Sequence, residues 1–309
     1  MSVGRVFVLG SGFSASLGLP TLNNLFKDMM SSPVRDEGDK EEIYNALKIL
    51  YPHFETGAGS SYPSYEEFLS LIFLAKDFEG AFYEEGYWEQ KEKGALRILI
   101  DYIVDKSQIA ESSELLLSFI NNLNNSDVVI TFNWDNLIER SLFNQKRKIN
   151  FKGRDDGSVT VLKLHGSINW QLIPDNVIIK EPDSVEWLCK DKICHTKDYR
   201  FYDLWVSLDR YPFIVPPIVL KRPAESEFLK EIWFEAFNCL IESKQTVVIG
   251  YSIPNNDLQA RALLRSGIIK PYLVIDPNPE IGGKYYTFIS SNLKFHQECF
   301  TNETLKYLL

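Results

Sequence analysis

Val6-Phe7-Val8-Leu9-Gly10-Ser11-Gly12-Phe13-Ser14-Ala15-Ser16-Leu17-Gly18-Leu19-Pro20 carries four consecutive apolar residues straight into a glycine-rich turn. A run that is apolar at every position, rather than at alternate ones, is the pattern of a strand buried on both faces. Gly10 and Gly12 permit positive φ and close approach of the backbone to a ligand, and the small residues after them suit the start of a helix. Strand, glycine turn and helix in that order outline a nucleotide-phosphate site, because N–H groups opening a helix favour a bound anion. Ordinary strand-to-helix turns share the pattern, so its meaning depends on the rest of the chain.

Apolar, β-branched runs of the same kind span Val3 to Leu9, Val128 to Thr131, Thr160 to Leu164, Thr246 to Ile249 and Tyr272 to Ile275. Most lead through a Gly or Asn turn into a helical pattern, the rhythm of a parallel sheet covered by helices on both faces. The expected class is therefore α/β, a doubly wound (Rossmann-like) parallel sheet, in one domain over residues 1–309. Ligands of such sheets bind at the carboxyl ends of the strands. Two departures from the rhythm stand out. Residues 30–125 place Phe68, Leu71, Ile72 and Ala75, then Leu96, Ile100, Ile103 and Val104, at helical spacing and read as a helical insertion. Its stretch Glu55 to Ser64 reads as a plain solvent loop, or as a mobile lid or partner contact. Residues 171–217 hold Trp187, Tyr199, Tyr202, Trp205 and Tyr211 and read as a small irregular, aromatic-rich subdomain, ahead of Pro216-Pro217 and a helix from about Glu225 to Glu242.

With 45% hydrophobic and 24% charged residues, the composition is that of an ordinary globular protein. The formal charge of −9 argues against direct nucleic-acid binding, and Lys146-Arg147-Lys148 reads as a solvated turn. No stretch approaches the ~20 apolar residues of a membrane span. The first strand begins without a charged leader, so a cytoplasmic protein is expected. Four cysteines, Cys189, Cys194, Cys239 and Cys299, are too few for a disulfide framework. Cys189-x4-Cys194-His195 is the nearest approach to metal spacing, but no second pair follows, so reduced thiols and no bound metal are expected.

Val128-Val129-Ile130-Thr131-Phe132-Asn133-Trp134-Asp135 puts Thr131, Asn133 and Asp135 where a buried strand ends and a helix begins. Asn133 and Asp135 can cap that helix, or they can sit over the crevice as an amide and a carboxylate. Val161-Leu162-Lys163-Leu164-His165-Gly166-Ser167 ends another strand in one of only four histidines, placed to act as a general base or to orient a hydroxyl. Val247-Val248-Ile249-Gly250-Tyr251-Ser252-Ile253-Pro254 repeats the strand-to-glycine pattern, with Gly250 and Ser252 offering donors to a phosphate or ribose. Asp257 and Arg261 follow at helical spacing as a surface pair. Tyr272 to Pro279 closes a strand on Asp276 and Asn278, which can hold a ribose or simply shape a proline-rich turn.

Taken in order, these pieces resemble the sirtuin-like (silent information regulator-like) superfamily. Gly10-Ser11-Gly12-Phe13-Ser14 with Gly18-Leu19-Pro20 is similar to its Gly-Ala-Gly-x-Ser-x-x-x-Gly-Ile-Pro loop, Thr131-Phe132-Asn133-Trp134-Asp135 to Thr-Gln-Asn-x-Asp, and Leu164-His165-Gly166-Ser167 to its catalytic-histidine motif. Gly250-Tyr251-Ser252 and Asn278 match the last two NAD contacts. Two features differ from the deacylases: Thr21-Leu22-Asn23 stands where they carry an acidic-aromatic-arginine triplet, and the second cysteine pair of their zinc ribbon is missing. The chain resembles instead the prokaryotic branch that lacks the ribbon and hydrolyses NAD in defence against phage. That resemblance implies an NAD glycohydrolase giving nicotinamide and ADP-ribose. Asn133, Asp135 and His165 would be catalytic; Gly10, Ser11, Gly12, Phe13, Ser14, Pro20, Thr131, Gly250, Ser252, Asp276 and Asn278 would bind NAD, with Phe13 closing over the nicotinamide pocket. It further implies control by a homo-oligomer or by a protein partner such as a hexameric helicase-like ATPase encoded nearby. A subunit that senses NAD or ADP-ribose without turnover is the alternative, and a protein deacylase a third.

Overall fold

The computed structural model of this 309-residue chain describes residues 3–33, 37–54, 62–80, 82–155, 157–172, 185–189, 193–196, 212–216, 226–255, 257–266, 270–289 and 292–308. They divide into two compact units: Met1–Leu19, Ser107–Ile214 and Arg222–Leu309 in one, Pro20–Lys106 and Val215–Lys221 in the other.

The first unit is built on a seven-stranded sheet. Its strands are β1 (Arg5–Leu9), β2 (Val128–Thr131), β3 (Lys148–Asn150), β4 (Ser158–Lys163), β9 (Gln245–Ile249), β10 (Tyr272–Ile275) and β11 (Leu293–His296). They lie in the order β11-β10-β9-β1-β2-β4-β3, every pair parallel. This is the doubly wound α/β class that the apolar runs predict. The five inner runs lack polar faces because helices cover both sides: β2, β4 and β10 are buried at every position, and β1 and β9 at all but their first. The helices of this unit are α1 (Ser11–Ser16), α6 (Glu114–Asn121), α7 (Leu137–Asn144), α8 (Glu227–Glu242), α9 (Leu258–Arg265) and α10 (Pro279–Phe288).

β3 and β11 have no counterpart among the runs. Both are edge strands with half-exposed residues, so neither needs a continuous apolar sequence. A second, antiparallel sheet in the order β6-β7-β5-β8 joins β5 (Gly166–Leu172), β6 (Val185–Cys189), β7 (Ile193–Thr196) and β8 (Pro212–Ile214). It crosses the aromatic-rich region 171–217, most of which, with Tyr199, Tyr202, Trp205 and Tyr211, lies outside the described residues.

Lys146-Arg147-Lys148 is only partly a solvated turn. Lys146 takes the turn at φ 58°, but Arg147 donates to the Ile120 and Leu123 carbonyls at 2.8 and 2.9 Å and anchors the end of α6. At the same, amino end of the sheet Asp127 collects the Arg5 amide at 2.9 Å, the Arg5 guanidinium at 2.6 Å and the Asn124 amide at 3.0 Å. Replacing Asp127 with Ala leaves these donors without an acceptor, and urea unfolding is expected to show a loss of about 2 kcal/mol; a change below about 0.5 kcal/mol would mean that water replaces the carboxylate.

The second unit is helical: α2 (Leu22–Ser31), α3 (Glu37–Leu50), α4 (Tyr65–Lys76) and most of α5 (Tyr87–Ala110). Phe26 packs against Tyr62, Tyr65 and Phe68, with ring centroids 5.1, 5.1 and 4.8 Å away. The buried Tyr65 hydroxyl is satisfied by the Ala95 carbonyl at 2.7 Å, and Arg97 grips Asp39 at 2.6 Å. Of the stretch Glu55 to Ser64, residues 55–61 lie outside the described residues, while Tyr62 packs on Phe26 and Ser64 caps α4 by accepting the Glu67 amide at 3.2 Å.

Candidate functional site

β1 and β9 are neighbours, yet the strands that follow them lie on opposite sides: β2 beyond β1, β10 beyond β9. A crevice at the carboxyl ends of such a pair is the usual ligand position in an open parallel sheet. The two loops that leave it touch through their backbones. Gly10 donates to Ile249 O at 3.1 Å, Gly12 to Gly250 O at 2.9 Å and Phe13 to Gly10 O at 3.0 Å. A Cβ on Gly12 would lie 2.6 Å from Gly250 Cα, and one on Gly250 (φ 61°) would lie 2.4 Å from Gly12 C. The glycines are thus required first by one loop lying on the other, a role that sequence alone does not separate from approach to a ligand.

Thr131 ends β2, and its Oγ1 accepts the Asn133 amide at 3.1 Å, which turns the chain back over the sheet. Half-buried Asn133 spends its Nδ2 hydrogens on Gly10 O and Ser14 Oγ, both at 2.9 Å. Ser14 donates in turn to Asp135 Oδ2 at 2.7 Å, and Asp135 Oδ1 accepts the Leu137 amide at 3.3 Å. Asp135 is therefore both a cap of α7 and a member of a chain of hydrogen bonds linking the loops after β1 and β2; the two readings of this pair coexist. Both donors being committed, the Asn133 amide plane is fixed, and its Oδ1 takes no hydrogen bond from the described residues.

Beneath Asp135 lies a feature that the motifs do not advertise. Lys163, fully buried at the end of β4, donates to the Asp135 carbonyl and pairs with buried Glu139 of α7 at 2.8 Å. Burial pushes the Glu139 carboxyl up, against the pull of the Lys163 ammonium. A lysine inside an otherwise apolar strand demands a buried acid, and that is the signal by which the pair could have been found.

His165 follows β4, the strand beside β2, and is 4% exposed. Its ring packs edge-on to Phe132 with centroids 5.3 Å apart and near Trp233 at 6.4 Å. Trp233 is held by donation to the Leu164 carbonyl at 3.0 Å. Nε2 of His165 faces Asp257 Oδ2 at 3.8 Å. Asp257 thus does not lie on the surface, as the helical spacing to Arg261 suggests: it is 4% exposed, caps α9 through the Ala260 amide at 3.1 Å and accepts the Tyr251 hydroxyl at 3.1 Å. Tyr251 stacks on Phe132 at 4.3 Å, and burial together with the Asp257 carboxylate pushes its phenol well up.

The remaining expected ligand residues are placed unequally. Ser11 and Ser252 are exposed beside the two glycine loops. Phe13 is 1% exposed and packs on Phe119 and Phe300, with centroids 5.1 and 5.2 Å away; its ring is a core anchor rather than a cover for a pocket. Pro20 belongs to the second unit. Asn278 caps α10 through the Glu280 amide at 3.0 Å, and Asp276 Oδ1 accepts the Asn278 amide at 2.9 Å, the turn-forming alternative for this pair.

Burial raises the Asp276 carboxyl. A carboxyl raised on folding is most stabilising when protonated, so its contribution falls as pH climbs from the ordinary aspartate value of 3.8 through the raised one. Asp276→Asn keeps an acceptor for Asn278 and is expected to remove that decline; urea midpoints of both proteins across the acid range, if they fall in parallel, would disprove it. No group of three metal-ligating side chains forms among the described residues, and the side chains of Cys189 and Cys194 lie outside them.

Among solved structures, a Sir2 homologue mutant in complex with 2'-O-acetyl ADP ribose is 14% identical, with a TM-score of 0.47, covering 99% of this chain and 90% of its own. A Sir2 homolog–NAD complex is likewise 14% identical, with a TM-score of 0.44, covering 99% of this chain and 88% of its own. No curated protein matches. Residues 127–267 match the profile of the SIR2-like domain family. That segment, a little under half of the chain, runs from the start of β2 through His165 to the end of α9.

Proposed function

We propose that this chain binds NAD across the carboxyl edge of its parallel sheet and hydrolyses the bond between nicotinamide and ribose. The observation that carries the reading is the chain of hydrogen bonds Gly10–Asn133–Ser14–Asp135 over the β1 and β2 loops, with His165 just past the end of the adjoining strand. In NAD the leaving group is already cationic. The C1′–N bond breaks with its electron pair passing to nitrogen, nicotinamide departs neutral, and the ribose becomes oxocarbenium-like. The protein must hold the carboxamide, offset the sugar's positive charge and take a proton, and it needs no strong acid. The fixed Oδ1 of Asn133 suits a carboxamide N–H, the Asp135 carboxylate the sugar cation, and His165 the proton lost by a ribose hydroxyl or by the attacking water. Ser11, Ser252 and the glycine loops would meet the pyrophosphate, and Asp276 a ribose.

We further propose that the activity serves bacterial defence against phage by draining NAD, and that an oligomer or protein partner releases it. The support is physiological: unrestrained NAD hydrolysis would harm the cell that makes the enzyme.

The test is to incubate the purified protein with NAD, alone and with its genomic neighbour's product, and follow nicotinamide and ADP-ribose by chromatography. Release is expected, reduced about 100-fold in His165→Ala. A folded His165→Ala protein that retains full release would remove the histidine from the mechanism. Tight ADP-ribose binding with no release in either mixture would transfer the assignment to a sensor. Release that requires an added acyl-peptide would transfer it to a deacylase.

A further inference from the structure

We infer that Asp257 is the charge partner of His165, a positioning residue that keeps the imidazole able to accept a proton inside an otherwise apolar wall. The inference deepens the proposed function and rests on it for the role of His165. Its physical basis is independent of any substrate.

Phe132 and Trp233 flank the His165 ring at 5.3 and 6.4 Å, and the histidine is 4% exposed. A neutral imidazole is content in such surroundings, but an imidazolium is not, because burial disfavours the charged form. A buried histidine would therefore be a poor base unless an anion faced it. Asp257 supplies one: its Oδ2 lies 3.8 Å from Nε2, and it is 4% exposed. At that separation the two attract strongly only when the histidine is charged, which is the moment after proton transfer. Water or a ribose hydroxyl loses its proton to His165, and the positive charge that appears on the ring meets the negative charge already in place.

Three elements aim the carboxylate. The Ala260 amide at the start of α9 holds Oδ1 at 3.1 Å, the Tyr251 hydroxyl from the β9 loop holds Oδ2 at 3.1 Å, and Tyr251 itself is clamped by stacking on Phe132 at 4.3 Å. Tyr285 of α10 adds a bond of 3.0 Å from its hydroxyl to the Tyr251 carbonyl. Among the described residues, the titratable groups packed around His165 are thus Asp257, Tyr251 and, behind it, Tyr285. Both tyrosines are pushed upward by burial and stay neutral at physiological pH. Asp257 is the one that brings charge.

The test is an NMR titration of the His165 ring in the full chain without any nucleotide, the signal being assigned by its loss in His165→Ala. Asp257→Asn keeps Oδ1 for the α9 cap and puts an amide N–H, which the Tyr251 hydroxyl oxygen can accept, where Oδ2 stood, while removing the charge. His165 is expected to titrate about one pH unit or more lower in Asp257→Asn than in the wild type, and the pH profile of nicotinamide release to shift the same way. Identical His165 titrations in the two folded proteins would overturn the inference. Should Asp257→Asn fail to fold, Tyr251→Phe gives the opposite test: the carboxylate keeps its single negative charge but loses the hydroxyl dipole that partly offsets it, so His165 must titrate higher; no movement overturns the inference. Failure of the wild type to release nicotinamide would remove the proposed function and leave the histidine titration standing.

Discussion

Lys163→Ala is expected to destabilise the protein by about 3–5 kcal/mol, because it leaves a carboxylate alone in the interior. Lys163 is fully buried and Glu139 is 1% exposed, so water cannot take over the pairing. The same change removes the donor that holds the Asp135 carbonyl, so the turn bearing Asn133 and Asp135 loses its support from below. Burial already raises the Glu139 carboxyl above its ordinary 4.5. Without the lysine it rises further, so the variant's remaining stability is greatest in acid and falls as pH climbs from the unfolded-state value through the raised one. The double variant Lys163→Met with Glu139→Gln should recover most of the loss, since two neutral side chains of similar size need no charge compensation. Urea unfolding measures all three proteins; a loss below about 1 kcal/mol in Lys163→Ala would show that the pair is dispensable.

Gly250→Ala is expected to cost about 3 kcal/mol, the sum of a left-handed backbone and a collision. Gly157 is the control. It too has positive φ, at 88°, but a Cβ there meets nothing within 4 Å, whereas at Gly250 the added carbon lies 2.4 Å from Gly12 C and Phe13 N. Gly157→Ala should therefore lose only the backbone cost of about 1 kcal/mol. The difference between the two isolates the close approach of the β1 and β9 loops. Equal losses would mean that the loops separate freely.

The parts of the fold that were legible before the structure are those buried on both faces. Val128 to Thr131 and Tyr272 to Ile275 coincide with β2 and β10 because nothing in those strands meets water. The edge strands β3 and β11 were silent for the opposite reason. That Asn133, Asp135 and His165 stand at strand ends followed from the motifs; that the two strands are neighbours came from the structure. Their couplings were not legible either. The spacing of Asp257 and Arg261 describes a helix surface equally well, and only the packing of α9 turns the carboxylate to the histidine. Lys163 carried a readable signal, a cation within an apolar run, but its partner is 24 positions away on another element. Phe13 shows the converse: its position in a ligand-binding motif says nothing of the aromatic cluster that takes its ring.

β1 is the central strand, and its register joins Val6 to Val128 on one side and Arg5 to Gln245 on the other. During synthesis the first strand therefore emerges long before either neighbour exists, and it must wait, apolar and unpaired, for most of the chain to follow. Contacts so distant in sequence are slow to form and leave a sticky segment exposed in the meantime. The crevice cannot close until residues of the β9 loop have left the ribosome, so no nascent chain carries a finished site. Early exposure of Val6 to Leu9 makes this segment a natural customer for chaperones, and the point at which production of the protein is most vulnerable to aggregation.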